Sequence, residues 1–108
     1  MKIKGEYESR RVWIDGRELH PEEGQKIRNR SPDGFNWGYG GSGPAQLALT
    51  LIIEAANALN IPKVKALPYY QTLKWEFVAN LPGSDFEIEF DLADWLCRKM
   101  QAQEASHA

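Results

Sequence analysis

Between Ser31 and Leu49 the chain reads SPDGFNWGYGGSGPAQLAL, and no other stretch limits the fold as tightly. Ser31-Pro32-Asp33-Gly34 fits a type I turn, with proline presetting φ at the second position and glycine ending the turn. Phe35, Asn36 and Trp37 lead into Gly38-Tyr39-Gly40-Gly41-Ser42-Gly43, where glycine after glycine lifts the steric bar to left-handed backbone. Ordering such a loop costs conformational entropy, so it needs a packing or binding reason. Pro44 suits a helix start, because its missing N–H would have had no intrahelical partner there. With Gly43 as N-cap, Gln46 stands at the third helical position, from which its amide can reach back to the cap.

The helix that follows, Pro44 to about Leu59, sets the core. Gln46, Thr50, Glu54 and Asn57 recur as one narrow polar stripe, and leucine, isoleucine and alanine fill the remaining circumference, the pattern of a central buried helix. Asn57 to Pro62 ends it. A second helical pattern runs from Leu67 or Pro68 to Leu81, with Tyr70, Leu73, Phe77, Val78 and Leu81 inward. In it Lys74 reads as a solvent-facing lysine beside a core Trp75. Pro82-Gly83 closes this helix.

Strands are expected at both ends of the chain. Residues 2–7 alternate weakly, with Ile3 and Tyr7 on one face. Arg11 to Leu19 reads as a hairpin about Asp15-Gly16, a dipeptide suited to the positive φ angles of a tight turn. His20-Pro21 closes its second arm, Glu22 to Gly24 form a polar connection, and Lys26 to Arg30 read as an edge strand or extended loop. Phe86 to Phe90 alternates strictly, as a strand with one wet face should, and is expected to join the hairpin. Asp91 can cap a last helix through about Gln103, with Leu92, Trp95, Leu96 and Met100 inward. Residues 104–108 are expected to fray. The fold class is therefore α+β: a small antiparallel sheet, the N-terminal hairpin plus the strand near 86–90, packed against about three helices, with 44–59 central and buried.

At 108 residues the chain suits one domain, 1–108. Residues 1–30 carry a charge of +2 and residues 31–108 a charge of −4, so neither half has a nucleic-acid footprint and nucleic acid is not expected as a partner. The single cysteine, Cys97, excludes an intrachain disulfide and any multi-cysteine metal site. There is no N-terminal signal pattern, and the longest apolar run, Leu47 to Ile53, is interrupted by Thr50 and too short for a bilayer. The expectation is a cytoplasmic protein with no membrane partner, no metal and no cofactor.

Several chemistries are tested by the loop. Gly38, Gly40 and Gly43 satisfy G-x-G-x-x-G, but a dinucleotide site also needs a buried parallel strand before the loop and an acidic residue about twenty positions on. Lys63 stands at that distance and Pro44 occupies the helix start, so the fingerprint is rejected. A P-loop fails because no Gly-Lys-Ser/Thr ends the run. What survives is an anion site at the helix start, where N–H groups of Gly40 to Gly43, Ala45 and Gln46 meet the positive helix end and Lys74 or Arg30 supplies charge. The plainer reading is preferred: the glycines let the loop pack tightly over Trp37, Tyr39 and the helix.

No catalytic set is found. His20 lies in a turn and His107 in the tail, neither with visible partners. Ser42 lacks the glycine spacing of a nucleophile elbow. Cys97 reads as a half-buried inert thiol, and Glu87, Glu89, Asp91 and Asp94 as solvated surface charges.

SPDGFNWGYGGSGPAQLAL, followed by Tyr70-Gln71, Lys74-Trp75 and Val78-Ala79-Asn80-Leu81-Pro82, resembles a family of small bacterial and phage proteins known as a domain of unknown function, whose hallmark is a WGYGGSGPAQLA segment. The likeness covers about the middle half of the chain and implies no activity. The family pattern carries a histidine just before the Ser-Pro pair, where this chain has Arg30, so no role of that histidine carries over.

Three function classes follow. The favoured one is a small noncatalytic binding or interaction module built around loop 38–43, with Trp37, Tyr39, Gly40, Gly41, Ser42, Gly43, Gln46, Gln71 and Lys74 as candidate contact residues. Its partner would be a protein or an anionic small molecule. The second is an enzyme or regulator binding an anionic small molecule or nucleotide at the start of helix 44–59. The third, implied by the resemblance to phage proteins, is a host-interaction factor.

Overall fold

A computed structural model describes residues 1–106. Three strands come first: β1 (Lys2–Glu6), β2 (Arg11–Ile14) and β3 (Arg17–Leu19). The β2–β3 turn is the expected one, with Asp15 at φ 49° and Gly16 at φ 82°, the two positive values that match the twist of a two-residue hairpin. β4 (Phe86–Glu89) returns antiparallel along β1, pairing Gly5 with Phe86 and Ile3 with Ile88, so the sheet order is β3-β2-β1-β4. The 86–90 segment therefore joins the hairpin through β1. Phe86 is buried, but Ile88 is exposed, because β4 is an edge strand with a neighbour on one side alone.

Helix α2 (Ser42–Leu59) is the buried centre. Its apolar residues meet Ile3, Val12, Ile14 and Leu19 from the sheet and Leu73, Val78, Leu92 and Leu96 from the later helices in one core cluster. It ends at Asn60, which takes the left-handed conformation (φ 55°) that commonly terminates a helix. It begins two residues earlier than the proline suggests, with Gly41 as N-cap. Pro44 still falls within the first turn, where no N–H is required.

That shift changes the role of Gln46. Being fifth rather than third in the helix, it cannot cap the N-terminus, and its side chain turns to the preceding loop instead. Its Oε1 accepts the Arg30 N–H at 2.7 Å and the Ser31 N–H at 3.1 Å, while its Nε2 donates to the Arg28 carbonyl at 3.3 Å. Gln46 and Thr50 are fully enclosed, so only the Glu54 and Asn57 end of the polar stripe reaches the surface. The cover over the buried end is α1 (Pro21–Gln25), a short helix begun by Pro21 where a polar connection was expected. Its Gly24 lies so close to Thr50 and Gln46 that an added Cβ would stand 2.9 Å from the Thr50 hydroxyl. Residues 26–30 form neither helix nor strand.

The helix expected over Leu67 or Pro68 to Leu81 is segmented, and a further short helix, not expected, precedes it. α3 (Lys63–Ala66) passes through a 3-10 turn at Leu67–Tyr69, containing Pro68, into α4 (Tyr70–Glu76), and a further 3-10 turn spans Val78–Asn80. The break falls at Phe77 (φ −126°, ψ −64°). Asn80 Nδ2 donates to the carbonyls of Trp75 and Glu76, which the helix end leaves without partners. Phe77 stacks on Phe90 at 4.2 Å between ring centroids, joining this corner to the connection between β4 and α5 (Leu92–Ser106). Asp91 caps α5 by accepting the Asp94 N–H at 3.0 Å. The helix includes 104–106; the part of the expected frayed tail at 107–108 lies outside the described residues, as does His107. No helix among the described residues is long and apolar enough to cross a membrane.

Candidate functional site

The glycine loop is fixed from beneath by Trp37. This side chain is 1% exposed; its indole N–H donates to the Ser84 carbonyl at 3.0 Å, and its ring meets Tyr7 and Phe86 edge to face. Trp37 thus supports the loop and is absent from its surface. Gly38 donates its N–H to the Val78 carbonyl at 3.0 Å, the oxygen that also accepts the Leu81 N–H closing the 3-10 turn at 3.3 Å. Of the four glycines at 38, 40, 41 and 43, only Gly38 has a positive φ.

Gly40 and Gly41 are required for space rather than for handedness. A Cβ on Gly40 would overlap the Trp75 ring, and one on Gly41 would overlap the Tyr39 ring. Two neighbouring glycines therefore seat two aromatic rings, and both rings are open to solvent: Tyr39 is 49% exposed and Trp75 is 59% exposed. Lys74 completes the group. It is only 8% exposed, its Nζ stands 4.3 Å from the Trp75 ring centroid, and no carboxylate among the described residues pairs with it. A partly desolvated ammonium over an indole face is a favourable pairing.

This reverses the expected arrangement of Lys74 and Trp75. Lys74 lies four residues after Tyr70, on the inward face of α4, and Trp75 lies one step round toward solvent. Position on the helix outweighs residue type, because the lysine stem packs as hydrocarbon while its head reaches the ring.

The nine candidate residues divide into two neighbourhoods. Tyr39, Gly40, Gly41 and Lys74 meet, with Trp75, at the start of α2. Ser42 is exposed there, and Gly43 is buried against Asn36. Beside them a cavity of about 250 Å³ is lined by Arg10, Asn36, Tyr39, Ser42 and Gly43 among others. Gln46 and Gln71 belong elsewhere. Gln71 Nε2 donates to the Tyr70 hydroxyl at 3.1 Å, and Arg30 Nε donates to the same oxygen at 2.7 Å. Arg30 Nε is therefore directed at Tyr70.

Burial by itself would raise the pKa of the Tyr70 phenol. Hydrogen bonds from Arg28, Arg30 and Gln71, with the Arg30 charge, outweigh burial and bring it below its ordinary 10.0. On the far side of α4, the Lys99 ammonium, 2.6 Å away, holds Glu76 below its usual range against a smaller opposing effect of burial, helped by the Trp95 N–H.

Sequence reasoning passed over Tyr70, Arg28 and Arg10 as site residues. The legible signal for the second neighbourhood was Lys26-x-Arg28-x-Arg30, three cations at alternate positions with no acid between them. All strands are antiparallel and no strand precedes α2 directly, so the dinucleotide arrangement is absent among the described residues. No group of three or more His, Cys, Asp or Glu among the described residues is placed to hold a metal ion.

No curated protein and no solved structure matches the chain. A family model does match, over residues 3–98, from β1 to the middle of α5. The chain accordingly belongs to that family, a family of unknown function (DUF6166).

Proposed function

We infer that this protein is a small noncatalytic binding module whose contact surface is the glycine loop with Tyr39, Trp75 and Lys74. The supporting observation is that Gly40 and Gly41 leave room for two large, solvent-open rings to lie against the loop, beside a lysine that no carboxylate among the described residues pairs with. Large rigid aromatic rings lose little conformational entropy on binding and dominate the energetics of interfaces. A protein partner presenting an acidic or carbonyl-rich surface suits this chemistry.

The test compares the proteins captured by the wild-type chain with those captured by Tyr39→Ala and Trp75→Ala. Both side chains are exposed, so the fold is retained, which circular dichroism checks. Loss of at least tenfold in affinity for a captured partner is expected, the range of an interface hot spot. An unchanged set of partners at unchanged affinity sinks the reading.

A second reading places an anionic small molecule at the start of α2, favoured by the cavity that Arg10 and the first helical residues share. A nucleotide and phosphate panel that leaves the melting temperature unmoved, both in the wild type and in Arg10→Gln, removes it.

A further inference from the structure

We propose that Arg28, Arg30, Tyr70 and Gln71 form a binding site for a phosphoryl group, built from side chains other than those of the aromatic loop surface. Arg30 Nε and Gln71 Nε2 converge on the Tyr70 hydroxyl at 2.7 and 3.1 Å. The guanidinium carbons of Arg28 and Arg30 lie 5.8 and 5.7 Å from the centre of the Tyr70 ring. The cluster is thus rich in donors and holds two positive charges. No carboxylate among the described residues is paired with either arginine, although Arg11, Arg17 and Arg98 all have one.

The backbone that carries the arginines is held in place before any ligand arrives. Fully buried Gln46 accepts from the N–H groups of Arg30 and Ser31 and donates to the Arg28 carbonyl. Arg28 N–H is bonded to the Gly24 carbonyl at 2.9 Å, and Gln25 Nε2 to the Ser31 carbonyl at 2.8 Å. Arg28 and Arg30 are both exposed residues, and their backbone is held by these bonds. A guanidinium that spends one N–H on a phenol retains the others, and their planar fork matches two oxygens of a phosphate. A phosphoryl dianion supplies the acceptors and the charge that this cluster lacks. The lowered pKa of Tyr70 agrees with a local field that favours negative charge.

The test is a titration of the full chain with inorganic phosphate, and in parallel with a nucleoside monophosphate, at constant ionic strength. The Nε–Hε resonances of Arg28 and Arg30 are followed by nuclear magnetic resonance. Saturable shifts at both arginines are expected, with the affinity falling about tenfold in Arg28→Gln or Arg30→Gln. Tyr70→Phe keeps the packed ring and weakens binding by a smaller factor. Arg98→Gln, which removes one positive charge from α5, leaves the affinity unchanged. Tighter binding of the nucleoside monophosphate assigns the site to phosphate esters, and equal binding assigns it to free phosphate. Shifts that do not saturate, or that weaken as much in Arg98→Gln as in Arg30→Gln, overturn the proposal. Tyr39 and Trp75 are untouched throughout, so this outcome is independent of the aromatic surface.

Discussion

The indole of Trp75 rests directly on the backbone of Gly40, leaving no room for a Cβ between them. A methyl group at Gly40 must lift the ring or move the loop. Gly40→Ala is expected to destabilise the protein by about 1 kcal/mol, the low end of an overpacking penalty, because the obstructing atoms are the far end of an exposed ring. Because Trp75 is exposed, its removal relieves the clash, so Gly40→Ala in a Trp75→Ala background should have little effect. Urea denaturation of the four proteins measures this coupling; equal penalties in both backgrounds mean that the ring is not what excludes the methyl group.

Gln46 is the buried fastener of the 28–31 loop. Gln46→Leu keeps much of the volume but leaves the Arg30 and Ser31 N–H groups without an acceptor. Two orphaned donors predict a loss of about 2–4 kcal/mol, lessened if water reaches them. Hydrogen exchange should show the Arg30 and Ser31 amides losing protection. Retained protection would mean that a different acceptor holds them.

Trp37 ties the loop to the 82–85 connection through its bond to the Ser84 carbonyl and to the sheet through Tyr7 and Phe86. Trp37→Phe removes the donor and part of the ring. A destabilisation of about 1–3 kcal/mol is expected from the unmade hydrogen bond and the residual cavity, measured by chemical denaturation. A Trp37→Phe protein as stable as the wild type contradicts this role.

The Glu76–Lys99 pair gives a pH dependence of known sign. The Glu76 pKa is lowered in the folded protein from the ordinary 4.5, so its contribution is present above that value and is lost as pH falls through the lower folded pKa. Both side chains are about a third or more exposed, so screening keeps the contribution below about 1 kcal/mol. Glu76→Gln should therefore flatten the acid limb of the stability profile slightly and leave stability at the lowest pH unchanged. A difference that persists below the folded pKa contradicts the assignment.

Tyr70 provides a second titration. With its pKa lowered in the fold, the phenolate is favoured, and the associated stability appears as pH rises through the folded value. Spectrophotometric titration near the tyrosinate band should show a component below 10.0 that moves upward in Arg30→Gln. A component insensitive to that substitution shows that Arg30 does not set it.

Periodicity and turn chemistry carried much of the fold. The apolar circumference of residues 44–59 required a buried helix, Asp15-Gly16 required a tight hairpin, and the alternation at 86–90 required a strand. Lys74 and Trp75 were misassigned: residue type argued for a solvent-facing lysine and a core tryptophan, whereas Lys74 shares the buried face of Tyr70 and Leu73 and Trp75 is exposed. The short α1 was hidden because five residues beginning with proline carry too little periodicity to stand out from a polar connection.

By itself, then, the sequence determined an α+β domain with one central helix and a glycine loop that must pack closely, since these follow from interactions between near neighbours along the chain. Only the tertiary structure decided what that packing serves. Gln46 fastening residues 28–31, Trp75 resting on Gly40, and Arg30 reaching Tyr70 join positions 15 to 40 residues apart. Such contacts depend on how helices, loop and sheet dock, and the local backbone preferences that make a sequence legible do not encode which distant side chains will meet.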